Sequence, residues 1–172
     1  IKMKQEFKVI SDLINKNSHV LDVGCGDGVL MEFLVKEKKV NIRGIEISKS
    51  KVQNCIAKGL TIIEGNAEED LRQFPDKSFE YVILSQTLQA FINPEKVINE
   101  LISISSPIKE RKFFFIWPEG IIPNVYQNEM YLYDNIFIKN FDENHLIGLG
   151  ITNRKLEKGN YEFFNSFSIF DN

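Results

Sequence analysis

The chain has 172 residues, with 21 Lys or Arg, 24 Asp or Glu and a formal net charge of −3. This balance argues against nucleic-acid binding, which normally needs a basic face, and the sequence has no apolar run long enough for a transmembrane helix. Cys25 and Cys55 make no disulfide framework or CxxC motif, and His19 and His145 show no metal-ligand spacing. We therefore expect a single cytoplasmic domain over 1–172, with no metal, membrane or nucleic-acid partner.

The first half of the chain alternates between two apolar patterns. Apolar residues at helical spacing indicate amphipathic helices, and short apolar runs that end in turn residues indicate buried strands. Ser48 is a candidate N-cap and Gly59 a candidate stop for one of these helices. In chain order the patterns predict a helix over 4–15, a strand over 19–23, a helix over 28–38, a strand over 41–47, a helix over 48–59 and a strand over 60–63.

The second half continues this alternation and ends in a predicted hairpin. Asn93-Pro94-Glu95 is a clear helix start, because Asn caps, Pro fits the first turn and Glu meets the positive helix end. Gly159-Asn160 indicates a hairpin turn. The predicted elements are a strand over 79–84, a helix over 93–107, a strand over 112–117, a long loop or lid over 118–139, a helix over 141–148 and two strands over 151–157 and 162–170.

Strands that alternate with helices predict a doubly wound α/β fold with a mostly parallel sheet. In such folds ligands bind at the carboxyl ends of the strands. The segment from Val20 to Gly28 (VLDVGCGDG) matches this position, because a strand runs into a glycine-rich turn that opens a helix. Gly24 and Gly26 let the backbone approach a ligand closely. Glu46 ends the next strand about 20 residues further on, where an acidic side chain binds ribose hydroxyls.

The pattern therefore predicts a nucleoside site; the alternative is that the glycines only shape a tight turn. The dinucleotide fingerprint is GxGxxG, whereas this turn is GxGxG and position 29 is Val. Asp22 and Asp27 add negative charge, which repels a pyrophosphate and favours a sulfonium and an ammonium. These features favour S-adenosylmethionine, or S-adenosylhomocysteine, over NAD. Cys25 within the turn and Ile47 after Glu46 complete this group of cofactor-binding candidates, and Cys25 is either a reactive thiol or a small packing residue.

A second candidate wall of the site follows the third predicted strand. Asn66, Ala67 and Glu68 lie in the run EGNAEE at 64–69, at the same edge of the predicted sheet. We expect them to cradle the adenine ring through backbone amides and a carboxylate. The alternative is an ordinary solvated acidic loop.

Uncharged polar residues follow the fourth predicted strand. Ser85 is a further cofactor-binding candidate, and Gln86 and Gln89 are candidates for contact with a substrate. The alternative is that these side chains only cap the following helix. No Asp–His or paired-carboxylate arrangement demands a catalytic base, so the catalytic residues stay unassigned and both glutamines are interpreted as positioning groups.

Residues 18–105 resemble the MetW family of methionine biosynthesis proteins, a branch of the class I S-adenosylmethionine-dependent methyltransferases. The run LSQTLQ is the most particular to that family, while the glycine turn occurs in many methyltransferases. The stretches that carry the resemblance are VLDVGCGDG at 20–28, GIEI at 44–47, FPDKSF at 74–79 and VILSQTLQA at 82–90.

The resemblance implies a Rossmann-like, seven-stranded sheet of order 3-2-1-4-5-7-6 whose last strand is antiparallel. It also implies S-adenosylmethionine as cofactor and a role beside a homoserine O-acyltransferase. Two functions follow: a small-molecule methyltransferase of methionine biosynthesis, or a non-catalytic regulatory partner of the acyltransferase that retains the nucleoside pocket. A third hypothesis, an NAD-dependent oxidoreductase, is weak because the third glycine of its fingerprint is missing.

Overall fold

The computed structural model describes residues 2–84, 91–105, 113–117, 145–157 and 160–171. Helices and strands alternate along them, as the apolar patterns predict. In chain order the elements are α1 (Lys2–Leu13), β1 (His19–Val23), α2 (Val29–Lys38), β2 (Asn41–Glu46), α3 (Lys49–Ala57), β3 (Thr61–Glu64), α4 (Ala67–Asp70), a 3-10 turn (Leu71–Gln73), β4 (Tyr81–Leu84), α5 (Pro94–Ile104), β5 (Phe113–Trp117), β6 (His145–Glu157) and β7 (Asn160–Asp171).

Within the described residues, seven strands form one sheet in the order β3-β2-β1-β4-β5-β6-β7. All neighbouring strands are parallel except β6 and β7, which are antiparallel. Val23, at the end of β1, pairs with Ile45 on one side and with Leu84 on the other. Glu46 likewise pairs with Glu64. This register brings the carboxyl ends of β1 to β4 together at one edge of the sheet. The candidate residues of the site lie at these strand ends or directly after them in the chain.

The central strands are buried on both faces. Alternate side chains of a strand point to opposite sides, so Leu21 and Val23 join one core cluster while Val20 joins another. The first cluster includes residues of α4 and α5, and the second includes residues of α1 and α2. The protein is therefore an α/β protein with a largely parallel sheet between helices, which confirms the predicted fold class.

Two predictions about the C-terminal hairpin are wrong. Residues 145–148 belong to β6 and not to a helix. Gly148 and Gly150 weaken a helix there, and β6 is bonded to strands on both of its sides. The order also ends β5-β6-β7, whereas the resemblance implied 5-7-6. The hydrogen bonds between the two arms of the hairpin form whichever arm lies next to β5. The apolar pattern of the arms therefore does not decide which of them pairs with β5.

The other predicted helices and strands that fall on described residues are confirmed, with shifts of a few residues at their ends. The short helix α4 was not predicted, because four residues carry no helical periodicity. The predicted lid over 118–139 lies outside the described residues. Among the described helices, none combines the length and the apolar character that crossing a membrane requires.

Candidate functional site

The turn from Gly24 to Gly28, the glycine turn, links β1 to α2. The Gly28 amide donates to the Cys25 carbonyl at 3.0 Å and closes the turn. Gly26 and Gly28 have φ values of 58° and 72°, a region that other residues rarely adopt. A Cβ on Gly28 would also lie 2.4 Å from Leu60 Cδ1 and 2.9 Å from the Sγ of Cys55, while one on Gly26 would meet open space. Gly26 is therefore needed for its conformation, and Gly28 for its conformation and its size.

Glu46 ties the glycine turn to the end of β2. Its Oε2 accepts from the Gly26 amide at 3.0 Å, and its Oε1 accepts from the Ser48 amide at 2.9 Å. The side chain is buried, with 6% of its surface exposed. An ionised carboxylate has about four lone-pair sites, so these two bonds leave capacity for two adjacent hydroxyl groups of a ligand.

A cavity of about 300 Å³ opens where the ends of β1 and β2 meet the segment that follows β3. This volume is at the lower end of the range for ligand pockets, roughly 300–1,000 Å³. A depression of about 620 Å³ lies beside α2 and the start of β2, and neither the glycine turn nor Glu46 lines it. The residues that line the smaller cavity are Val23, Gly24, Ile45, Glu46, Ile47, Gly65, Asn66, Ala67, Glu68, Phe91 and Ile92.

The acidic segment, Asn66 to Asp70, forms the second wall. Asn66 caps α4, because its Oδ1 accepts from the Glu68 amide at 3.1 Å. The Asn66 amide donates to Oδ2 of Asp70 at 2.7 Å. Glu68 joins this wall to α5, since its Oε1 accepts from the Asn93 amide at 2.7 Å. Asn66, Ala67 and Glu68 thus line the cavity, with the Glu68 carboxylate bonded to protein, and their contact with an adenine ring stays a prediction.

Asp22 lies beneath the site. It is 1% exposed, and its two carboxylate oxygens have no hydrogen-bond partner among the described residues. Burial, with a smaller contribution from the charge of Glu46, raises the pKa of Asp22 from 3.8 to about 7. At neutral pH this carboxyl is therefore only partly ionised, so it supplies less negative charge than the sequence suggested.

Three predicted residues of the glycine turn, Cys25, Gly26 and Asp27, do not line the cavity. Cys25 is 8% exposed and belongs to the core cluster next to α2, and burial raises the pKa of its thiol. This environment agrees with a packing residue, since the reactive form of cysteine is the thiolate. Asp27 is exposed, and its Oδ1 accepts from Nδ2 of Asn54 at 2.8 Å. Its role toward a cationic ligand stays a prediction.

Ser85, Gln86 and Gln89 lie outside the described residues, so their predicted contacts stay predictions. Phe91 and Ile92 are apolar residues of the cavity that were not among the predicted site residues, and Ile92 is 94% exposed. Their position between β4 and the capped start of α5 places them at the carboxyl edge, which is the signal that was available.

The site combines a buried carboxylate, open to paired hydroxyls, with apolar side chains that suit a flat ring. Ile47 and Ile92 are both largely exposed, at 69% and 94%, as expected for residues that a ligand covers. Within the described part of the chain, no three His, Cys, Asp or Glu side chains are grouped as metal ligands would be. The arrangement fits a nucleoside.

Comparison with known families identifies the family of this chain. The family model described as methionine biosynthesis protein MetW matches residues 4–111, which include the glycine turn, Glu46 and the acidic segment. The chain belongs to the MetW family. It is 28% identical over 112 residues to the bifunctional methionine biosynthesis protein MetXA/MetW of Rhodopirellula baltica, covering 60% of this chain and 18% of that protein.

Other relatives extend the likeness. An uncharacterized methyltransferase of Schizosaccharomyces pombe is 26% identical over 155 residues, covering 89% of this chain and 55% of that protein. A solved S-adenosylmethionine-dependent methyltransferase from Archaeoglobus fulgidus superposes with a TM-score of 0.55 at 23% identity, covering 60% of this chain and 47% of that one, which shows the shared fold. The chain thus spans about a fifth and about half the length of the two curated relatives.

Proposed function

We propose that this MetW family member binds S-adenosylmethionine, or its product S-adenosylhomocysteine, in the cavity beside the glycine turn. The observation that carries the proposal is Glu46, which is buried at the cavity wall and fixed by two backbone amides with capacity to accept more. A charge-assisted bond to each of two ribose hydroxyls fits that capacity. The GxGxG turn, which lacks the third glycine of the dinucleotide fingerprint, favours this cofactor over a pyrophosphate-containing one.

The proposed roles follow the geometry of the cavity. Ile47, Asn66 and Ala67 line the side where the adenine ring is expected, with Glu68 beside them. The turn residues Gly24, Cys25, Gly26 and Asp27, with Asp22 below and Ser85 beyond β4, are assigned to the sulfur-bearing end of the cofactor. These assignments extend the sequence prediction, and the cavity lining supports the first group.

We propose methyl transfer to a small molecule as the first candidate activity. The cofactor, when bound, supplies a methyl group activated by the sulfonium. The protein then has to align the acceptor and exclude water. Gln86 and Gln89 follow β4 in the chain, and we assign them to positioning the acceptor. Methionine biosynthesis and two free thiols both suit the cytoplasm as its location.

The second candidate is a regulatory partner of a homoserine O-acyltransferase. The Rhodopirellula relative carries MetXA and MetW in one bifunctional chain. Two functions joined in one chain indicate that their separate counterparts act together. A nucleoside pocket with no evident catalytic base among the described residues that line it suits a sensor, provided that the ligand binds the free and the partner-bound forms with different affinity.

Calorimetric titration with S-adenosylhomocysteine tests the binding proposal. We expect one site per chain, and Glu46→Ala should weaken binding by about 2–4 kcal/mol, because two charge-assisted bonds are lost. Wild-type protein that does not bind at millimolar ligand would contradict the proposal.

A mixing experiment then separates the two activities. The acylation rate of the acyltransferase from the same organism is measured with and without this protein, each with and without S-adenosylmethionine. A ligand-dependent change in rate, together with co-purification, supports the regulator. If the proteins do not associate while a small acceptor is methylated, the enzyme is supported instead.

A further inference from the structure

The outer side of the glycine turn is held by the end of α3. Three side chains from one short segment donate hydrogen bonds to two neighbouring turn residues. Cys55 Sγ donates to the Gly26 carbonyl at 3.3 Å, and Lys58 Nζ donates to the Asp27 carbonyl at 2.8 Å. Asn54 Nδ2 donates to Oδ1 of Asp27 at 2.8 Å. We call Asn54, Cys55 and Lys58 the α3 clamp.

The opposite side of the same turn is tied to β2. The Gly24 amide donates to the Ile45 carbonyl at 2.8 Å, and the Gly26 amide donates to Glu46. Gly26 is therefore bonded on both sides: its amide to the strand that forms the cavity wall, and its carbonyl to the helix behind. This arrangement fixes the orientation of the peptide units that follow Gly24, the turn residue that lines the cavity.

Gly28 and Glu32 allow the end of α3 to contact the glycine turn. The bare Cα of Gly28 leaves the space that Cys55 and Leu60 occupy. Lys58 is anchored further by Glu32 of α2, with Nζ 2.8 Å from its Oε2, and this hydrogen bond raises the pKa of Lys58. One lysine thus joins the turn to the helix that the turn opens.

We propose that the α3 clamp positions the glycine turn for the nucleoside cofactor, and that the Asp27 side chain serves this clamp. The inference rests on the binding function proposed above. A glycine-rich turn has much conformational freedom to lose when a ligand binds, and a turn that is already fixed loses less. The clamp residues lie outside the cavity lining, so they act through the turn and are positioning residues.

Reversal of the Asn54–Asp27 hydrogen bond tests the clamp. Asn54→Asp sets two carboxylates against each other and should weaken S-adenosylhomocysteine binding by about tenfold. Asp27→Asn keeps an oxygen that accepts from Asn54, and its own affinity, which includes any lost attraction to the ligand, is the reference for the double variant. The double variant Asn54→Asp/Asp27→Asn restores the bond with donor and acceptor exchanged, so its affinity should return to within about twofold of that of Asp27→Asn.

Two features keep this test specific. S-adenosylhomocysteine lacks the sulfonium charge, and any attraction of Asp27 to the ligand's ammonium is already contained in the Asp27→Asn reference. Gln53→Ala changes an exposed neighbour on α3 that is absent from the clamp and should leave the affinity unchanged. A merely structural role of Asn54 would lower the unfolding midpoint without changing the affinity of the folded protein, so both are measured.

Amide hydrogen exchange over residues 24–28, without ligand, gives an independent reading. Exchange should accelerate in Asn54→Asp and return to the wild-type rate in the double variant. Unchanged affinity and exchange in Asn54→Asp, or a double variant as impaired as the single one, would overturn the clamp. If wild type does not bind the nucleoside, the proposed function and the cofactor role of the clamp both fail, whereas the exchange data still show whether α3 holds the turn.

Discussion

The two walls of the cavity are stabilised in different ways. The glycine turn is held by partners distant in sequence, in β2 and at the end of α3. The acidic segment is held mainly by its own side chains, through Asn66 and Asp70, with a link from Glu68 to α5. Changes at the turn should therefore disturb the fold and the site together, whereas changes in the acidic segment should have smaller, local effects.

The largest expected effect concerns Asp22, below the turn. Its pKa is raised from 3.8 to about 7 in the folded protein, so between these values the folded state binds the proton more tightly than the unfolded state. The free energy of unfolding therefore falls as pH rises through this interval. The free energy of unfolding of wild type, measured relative to that of Asp22→Asn, should fall by about 3 kcal/mol between about pH 5 and about pH 8. Urea denaturation of both proteins at both pH values measures the difference, and a constant difference would contradict the burial account.

Gly28→Ala and Gly26→Ala compare two positions within the turn. Both variants place a side chain at positive φ, but only the Gly28 variant also collides with Leu60 and Cys55. We expect Gly28→Ala to lower the free energy of unfolding by about 2–3 kcal/mol and Gly26→Ala by about 1 kcal/mol. Chemical denaturation of the pair tests this order. Equal losses would show that the contact with α3 is not tight.

Glu46→Ala should lower the free energy of unfolding by about 2 kcal/mol, because the Gly26 and Ser48 amides both lose their acceptor. Glu46→Gln keeps one acceptor oxygen and should lose about half as much. Thermal unfolding without ligand distinguishes this structural part from the effect on binding. If Glu46→Ala unfolds like wild type, the carboxylate does not hold the turn.

The smallest expected effect is in the acidic segment. Asn66→Ala removes the cap of a four-residue helix and should cost about 1 kcal/mol. Asn66→Ser, which keeps a capping oxygen, is the matched control and should stay close to wild type. If Asn66→Ala lowers the free energy of unfolding more than Glu46→Ala does, the fold depends more on the acidic segment than on the glycine turn, which would contradict the comparison of the two walls.

The turn was predictable because its signals are local. A strand, spaced glycines and an acidic residue at the next strand end identify the first wall, and Glu46 lies where that pattern places it. The cap at Asn93 was equally local, and its side chain accepts from the Lys96 amide at 3.1 Å. These features depend on neighbours within a few residues or on the regular repeat of strand and helix.

The features that the sequence did not predict depend on contacts between residues that are distant in the chain. Nothing in the sequence pairs Asn54 with Asp27 or shows that the Glu68 carboxylate bonds to α5. The burial of Asp22 followed from its strand, but its lack of partners did not. The order of the hairpin arms was predicted wrongly from the resemblance, and the apolar pattern could not correct it because both orders satisfy the same ladder.

A crystal structure with S-adenosylhomocysteine tests the central claim most directly. We expect the nucleoside in the cavity between the two walls, with its ribose hydroxyls bonded to Glu46 and its adenine beside Ile47 and Ala67. The Gly26 carbonyl should keep its bond to Cys55. Ligand density at another place on the protein, or none at a concentration that saturates binding in solution, would contradict the account.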